Sequence, residues 1–274
     1  DCVGGNKYFT DQREVFDEFG ENAEEFYSTD AFTDYAIEYI NEWEKDDEKP
    51  FVLYIAYNAP HSPLQAPKEL IEKYRGKFKD GWEANQKKRY ENQKKLGVID
   101  KATILPEWPS HHRNWNEISE LDKSWEDYRR AIYAAMVESL DTNIGRLKAE
   151  LIAKGEWDNT VFLFFSDNGS DSREINRNPY GNPWEAGYHV QVGTEWAGVG
   201  NTPYRWYKGN QHEGGISTPM IISWPEGLKT KGWNDFRGHI VDIYPTLLEL
   251  ADVAYPQQYE GKTTTPLEGE SLGP

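Results

Sequence analysis

The chain has 274 residues, which at roughly 150 residues per domain makes one large domain or two small ones. Asp and Glu outnumber Lys and Arg by 47 to 30, a formal net charge of −17, which excludes an overall basic footprint for nucleic acid or an anionic membrane. Eleven Trp, seventeen Tyr and eleven Phe carry more ring surface than a disordered acidic tail does, so the chain is expected to fold.

In chain order, the N-terminal DCVGGNKYFT shows no basic or apolar leader pattern and no initiator Met, so residues are expected to be missing upstream. Cys2, the single cysteine, cannot close an internal disulfide, and no Cys/His cluster has zinc spacing. Asp30 is a plausible N-cap for a helix whose apolar residues Phe32, Ala36, Tyr39, Ile40 and Trp43 recur at helical spacing and end before Lys49-Pro50. FVLYIAY (51 to 57) is apolar throughout, the pattern of a strand covered on both faces, and stops at Asn58-Ala59-Pro60. It is the longest apolar run and falls far short of the roughly 20 residues that span a bilayer.

Residues 68 to 101 hold eleven Lys/Arg against six Asp/Glu, a local excess of five positive charges, and read as a solvated helical face or a patch that attracts an anion. Ser124-x-x-Asp127 then resembles a capping box, Ile132, Met136, Leu140, Ile144, Leu147 and Leu151 form one helical stripe, and Lys154-Gly155 is a stop. VFLFF (161 to 165) is a second buried strand. A long irregular stretch from 170 to 215 separates it from a third strand at MIISW (220 to 224) and a helix near 240 to 251. Alternating helices and apolar strands predict an α/β layered domain with a largely parallel sheet.

Ligands of open parallel sheets collect beyond the carboxyl ends of the strands, which places Asn58 to Pro63 and Ser166 to Ser170 on one rim. Asp167 and Asn168 offer adjacent hard oxygen donors of the kind Ca²⁺ or Mg²⁺ takes, although Asp-Asn-Gly alone is a turn signature. His61 gains a ligand role only through its place on that rim. In Lys208-Gly209-Asn210-Gln211-His212-Glu213-Gly214-Gly215, the glycines let backbone approach a ligand and Lys208 can reach an anion. His111 and His112 sit in a polar loop and His189 in the irregular stretch, where a surface position is expected; His239 precedes a helix and reads as structural. Trp184, Tyr188 and Trp196 could stack on a sugar or aryl ring or simply pack locally.

Together these segments resemble the type I sulfatases, in particular the bacterial arylsulfatase-like branch. The matching stretches are 28 to 40, KPFVLYIAYNAPHSPLQAP (49 to 67), 133 to 147, DNTVFLFFSDNG (158 to 169), WAGVGNTPYRWYKGNQHEGGISTPMI (196 to 221), 239 to 251 and 266 to 274. The resemblance implies an alkaline-phosphatase-like three-layer α/β/α domain with a mostly parallel sheet that hydrolyses sulfate esters, of small molecules or glycans, with one bound Ca²⁺. It implies Asp167 and Asn168 as calcium ligands, His61 and Lys208 as catalytic and sulfate-binding groups, His212 as a further substrate-binding residue, and Arg205 as a neighbour of the site. Family members are commonly periplasmic or secreted.

The sequence departs from the pattern in two respects. No Cys/Ser-x-Pro-x-Arg motif, the source of the family's formylglycine nucleophile, is present; Cys2 lacks the proline and Ser217-Thr218-Pro219-Met220-Ile221 has Ile in place of Arg. The family's aspartate pair is also missing, because Asp46-Asp47 lies in a charged run before Pro50. Residues 1 to 274 are therefore expected to be the central and C-terminal part of a single catalytic domain, with a charged helical insert at about 68 to 125. The nucleophile, the remaining metal ligands and a C-terminal subdomain are expected outside it, leaving this piece inactive alone. The alternatives are a phosphatase or phosphodiesterase of the same superfamily and a non-catalytic binder of sulfated glycans. Neither nucleic acid nor a membrane span is expected.

Overall fold

The structure, a computed structural model, describes residues 10–11, 14–15, 26–43, 49–177, 179–185 and 187–273. Cys2 and Asp46-Asp47 lie outside the described residues. A two-residue antiparallel pair, β1 (Thr10–Asp11) with β2 (Glu14–Val15), precedes helix α1 (Ser28–Trp43). The helix begins two residues before Asp30, which therefore lies in its first turn. There its carboxylate accepts from Asn143 Nδ2 at 2.6 Å, and it does not cap the helix. Ala36 and Ile40, four residues apart, form the buried stripe of α1.

The apolar run 51 to 57 is extended but forms no strand ladder among the described residues. It alternates instead of being covered on both sides: Phe51, Leu53 and Ile55 pack on α1 and the following long helix, while Val52 is 77% and Tyr54 84% exposed. An apolar run discloses affinity for a core on each face, but not whether anything covers both.

The Lys-rich segment forms α2 (Lys68–Tyr74) and α3 (Trp82–Leu96), with a single 3₁₀ turn at Trp115–Glu117. Its charges face solvent, yet Ile71, Trp82 and Trp115 belong to the main core. The long helix α4 (Glu120–Ala153) starts earlier than Ser124. Ser119 is its cap, accepting from the amide of Asp122, with acidic Glu120 and Asp122 at the positive end of the helix dipole. Asp127 is not a capping residue. It accepts from the amides of Gly76 and Phe78, both at 2.8 Å, and fastens the turn after α2 to α4. The helix ends at Lys154-Gly155, as its stop signal predicts.

β3 (Phe162–Phe165) is followed by the irregular stretch, within which α5 (Thr194–Asn201) and α6 (Glu213–Ile216) form. β4 (Met220–Ser223), α7 (Ile243–Leu250) and the short pair β5 (Gln258–Tyr259) and β6 (Lys262–Thr263) complete the order. β3 pairs with β4 in antiparallel register, Phe162 opposite Ser223 and Phe165 opposite Met220, so the strand pairs among the described residues are antiparallel. His239 caps the 3₁₀ turn before α7, accepting from the amide of Val241, the structural part its position predicts.

Among the described residues, two apolar clusters hold the chain. The larger brings together Trp82, Trp115 and Trp196 with Ile132 and Met136 of α4. Trp82 meets Trp115 edge-on at 4.9 Å, and the Trp196 indole donates to the Glu126 carbonyl at 3.0 Å, so burial leaves no polar cost on that ring. Tyr188 and Trp196 are each 1% exposed: they are core residues and offer no stacking surface to a ligand. The smaller cluster packs Ala36 and Ile40 of α1 on Leu147 and Leu151 of α4. No helix among the described residues is long and apolar enough to cross a membrane.

Candidate active site

The site is built where the chain end of β3 meets the segment from Arg205 to Gly215. The Gly169 amide donates to the Gly215 carbonyl and the Lys208 amide to the Ser170 carbonyl, each at 3.1 Å. Asn201, at the end of α5, bridges the two stretches: its Oδ1 accepts from the Ser170 amide at 3.0 Å and its Nδ2 donates to the Trp206 carbonyl at 2.9 Å. Side-chain capacity is thus spent on aligning two loops that backbone pairing alone does not register.

Gly169 and Gly214 are required by this packing. A Cβ on Gly169 would lie 1.8 Å from the Gly214 carbonyl oxygen, and one on Gly214 would lie 2.1 Å from that of Trp206. Gly214 and Gly215 therefore let backbone approach backbone, whereas Gly209 has open space at its Cβ position and is held at φ +84. Trp206 itself adopts φ +67, a left-handed conformation that costs a bulky residue about 1–2 kcal/mol and persists only where neighbours enforce it.

Lys208 emerges from this frame beside His61. Its Nζ lies 3.3 Å from His61 Nε2, and His61 Nδ1 lies 2.7 Å from the Ser62 carbonyl. A carbonyl only accepts, so Nδ1 carries the hydrogen and Nε2 presents its lone pair to the lysine ammonium. Pro60 and Pro63 flank this pair and fix their own φ, limiting the freedom of the His61 turn.

Asp167 is exposed, and its carboxylate makes no hydrogen bond or ion pair with any described residue. Asn168 is half-buried and its Nδ2 donates to the Gly169 carbonyl at 3.2 Å, which leaves its Oδ1 free to accept. The donor chemistry of this pair fits a hard cation, but two oxygens are far fewer than the six to eight that Ca²⁺ takes. Among the described residues no group of three or more His, Cys, Asp or Glu side chains could hold a metal. His212 and Arg205 are exposed; the His212 ring lies 5.7 Å from that of Trp206. The structure thus brings His61 and Lys208 into contact, ties Lys208 through backbone to the residues following Asp167 and Asn168, and leaves His212 at the margin. The surface concavity lined by Asp158, Pro225 and Glu226 shares none of these residues.

His112 departs from the surface position expected of it. It is buried, with its Nε2 hydrogen-bonded to the Tyr207 hydroxyl, its ring 4.7 Å from Trp108, and Gly198 directly against it. Burial, then the neighbouring His111, push its pKa down to about 4. Asn201, Trp206 and Tyr207 were also not marked by the sequence: each acts through a contact with another loop, and no local spacing announces it.

The family profile described as Sulfatase matches residues 2–253. An uncharacterised sulfatase of Schizosaccharomyces pombe is 36% identical over 253 residues, covering 86% of this chain and 45% of that protein. An arylsulfatase of Klebsiella aerogenes is 31% identical over 265 residues, covering 91% and 56%. The chain spans about half the length of the curated relatives it matches. Among solved structures, Ps i-CgsB superposes with a TM-score of 0.56 at 24% identity, covering 90% of this chain and 38% of that one. The same protein in complex with k-i-k-neocarrahexaose gives 0.52, covering 87% and 37%.

Proposed function

This chain belongs to the sulfatase family, with its alkaline-phosphatase-like α/β fold, and on that premise we propose that the protein it forms hydrolyses sulfate esters at the rim described above. The observation that carries the reading is the meeting of Lys208 Nζ with His61 Nε2, 147 positions apart in sequence, with no carboxylate between them. A tetrahedral anion is the partner that the Lys208 ammonium lacks, and it would also accept from His61 Nε2 once that nitrogen carries a proton. Lys208 holds a sulfuryl oxygen through the charge that develops on it, an interaction stronger in the transition state than in the ground state.

His61 has one nitrogen committed to Ser62, so Nε2 is the atom through which it exchanges a proton. Acting as the acid, His61 carries a second proton on Nε2 as the imidazolium, gives it to the departing ester oxygen and returns to the neutral ring, a step typically worth about 10²- to 10⁴-fold. Asp167 and Asn168 are assigned to a Ca²⁺ ion, which when bound supplies positive charge to the sulfuryl oxygens. No residue among the 274 matches the formylglycine motif, so the nucleophile and the other calcium ligands are assigned to polypeptide outside this sequence. The 68 to 125 segment is assigned to the same catalytic domain.

The test is turnover of 4-nitrophenyl sulfate by the intact protein, before and after chelation and with Ca²⁺ restored. Lys208→Ala is expected to lower kcat/KM by about 10²- to 10³-fold, as removal of one oxyanion donor does, and to leave the unfolding midpoint unchanged. Turnover that is absent in the wild type, or unaltered by Lys208→Ala, overturns the reading. Calcium binding measured by calorimetry on Asp167→Ala supplies a readout independent of turnover.

A further inference from the structure

The segment between α3 and α4, remote in sequence from every site residue, reaches the Lys208 loop through two adjacent histidines. His112 Nε2 hydrogen-bonds the Tyr207 hydroxyl, and His111 Nε2 lies 3.3 Å from the same oxygen. The His111 ring also stacks on Trp206, with centroids 4.9 Å apart and planes 13° from parallel. Trp206 and Tyr207 are the two residues before Lys208, and Trp206 is the one held at φ +67.

The hydrogens in this triad can be placed. His112 Nδ1 is buried without a partner. A buried N–H left unpaired costs more than a bare lone pair, so the hydrogen of neutral His112 belongs on Nε2. That nitrogen then donates to the Tyr207 oxygen, and the phenol O–H is free to donate to His111 Nε2. Burial, which pushes the Tyr207 phenol up to about 12 and His112 down to about 4, keeps both groups neutral at physiological pH. The chain of donors then runs one way, His112 to Tyr207 to His111, and fixes the backbone from which Lys208 projects.

From this geometry we infer that His112 is a positioning residue for Lys208: with His111 it clamps Trp206-Tyr207 from one side while Asn201 holds the Trp206 carbonyl from the other. This deepens the sulfate-ester reading and rests on it. A loop held from two sides keeps the ammonium beside His61, and displacement of such a group by about 1 Å costs up to about a hundredfold in rate.

The test combines amide hydrogen exchange of residues 205 to 210 with turnover of 4-nitrophenyl sulfate by the intact protein, for the wild type, His112→Ala and His112→Gln. His112→Ala is expected to speed exchange at Lys208 and Asn210 at least tenfold and to lower kcat/KM about tenfold to a hundredfold. His112→Gln, whose side-chain nitrogen donates at the same reach, is expected to restore both to within threefold of wild type. If His112→Ala leaves exchange or turnover unchanged, or if Gln falls as far as Ala, the positioning role is overturned. Should the Ala variant not fold, Tyr207→Phe removes only the shared hydroxyl and is expected to move both readouts in the same direction; unchanged values overturn the inference. If the wild type turns over no sulfate ester, the functional reading fails, while the exchange rates still decide whether the clamp exists.

Discussion

Two polar clusters lie close in the fold and are built on opposite plans. Around Arg113, the buried carboxylates Glu126 and Glu195 are consumed. Glu195 Oε1 accepts from the Arg113 amide at 3.0 Å and from Nε at 2.9 Å, its Oε2 accepts from Nη2, and that nitrogen also reaches Glu126 at 2.9 Å. Arg129, itself buried, pairs with Glu174 at 3.1 Å and lies 3.5 Å from Glu126. At the rim, by contrast, Asp167 is bonded to no described residue, and among the described residues Lys208 Nζ meets only His61 Nε2. The closed cluster spends most of its donors and acceptors internally, with Glu126 Oε2 held only by the Arg129 charge at 3.5 Å, so changing it costs stability. An open one costs little to change and loses chemistry instead.

The largest effect expected from this contrast is on the closed side. Glu195→Ala leaves Arg113 without its bidentate partner and is expected to cost about 2–4 kcal/mol, less than a fully buried pair because the Arg113 side chain is 44% exposed and keeps Glu126. Chemical denaturation measures it, and turnover per folded molecule should stay at the wild-type value. A loss below about 1 kcal/mol would show that the cluster is replaceable and would erase the distinction.

The next expectation concerns pH. Folding holds His112 below its ordinary value, to about 4, so the unfolded chain binds this proton more readily. Its contribution is therefore present above about pH 6.5 and is lost as pH falls toward 4, amounting to about 3 kcal/mol at 1.36 kcal/mol per pH unit. Denaturation midpoints at pH 7, 5.5 and 4.5 should fall more steeply for wild type than for His112→Gln; parallel slopes would show that the buried ring does not titrate as described.

Of these three stability changes the smallest is expected at the frame of the rim. Gly214→Ala drives a Cβ into the Arg205 and Trp206 carbonyls and is expected to cost about 1–3 kcal/mol, as overpacking does. Its turnover should fall out of proportion, about a hundredfold, because the backbone that must yield is the one carrying Lys208. Turnover that declines only with the folded fraction would mean the frame does not set the lysine.

Local signals made much of this legible in the sequence. Ala36 and Ile40 of the α1 stripe, the Lys154-Gly155 stop, β3, β4 and a structural part for His239 follow from periodicity, turn chemistry and short-range hydrogen bonds, while Tyr39 of the same stripe is exposed. What failed depended on long-range cover. Tyr188 and Trp196 read equally as ligand platforms or as packed rings, because nothing local says that Trp82 and α4 bury them. The 51 to 57 run promised two covered faces and has one, and Ser124-x-x-Asp127 imitated a cap while Ser119 served as one. The site was legible only as a resemblance. The spacing of His61 and Lys208 carries no signal, and their contact depends on Asn201, Gly169 and Gly214 aligning loops that are distant in sequence.

The most direct test is a crystal structure of the intact protein with Ca²⁺ and inorganic sulfate. The sulfate is expected within hydrogen-bond reach of both Lys208 Nζ and His61 Nε2, with the metal on the oxygens of Asp167 and Asn168. Sulfate bound away from Lys208 and His61, or a calcium ion that ignores Asp167, would contradict it.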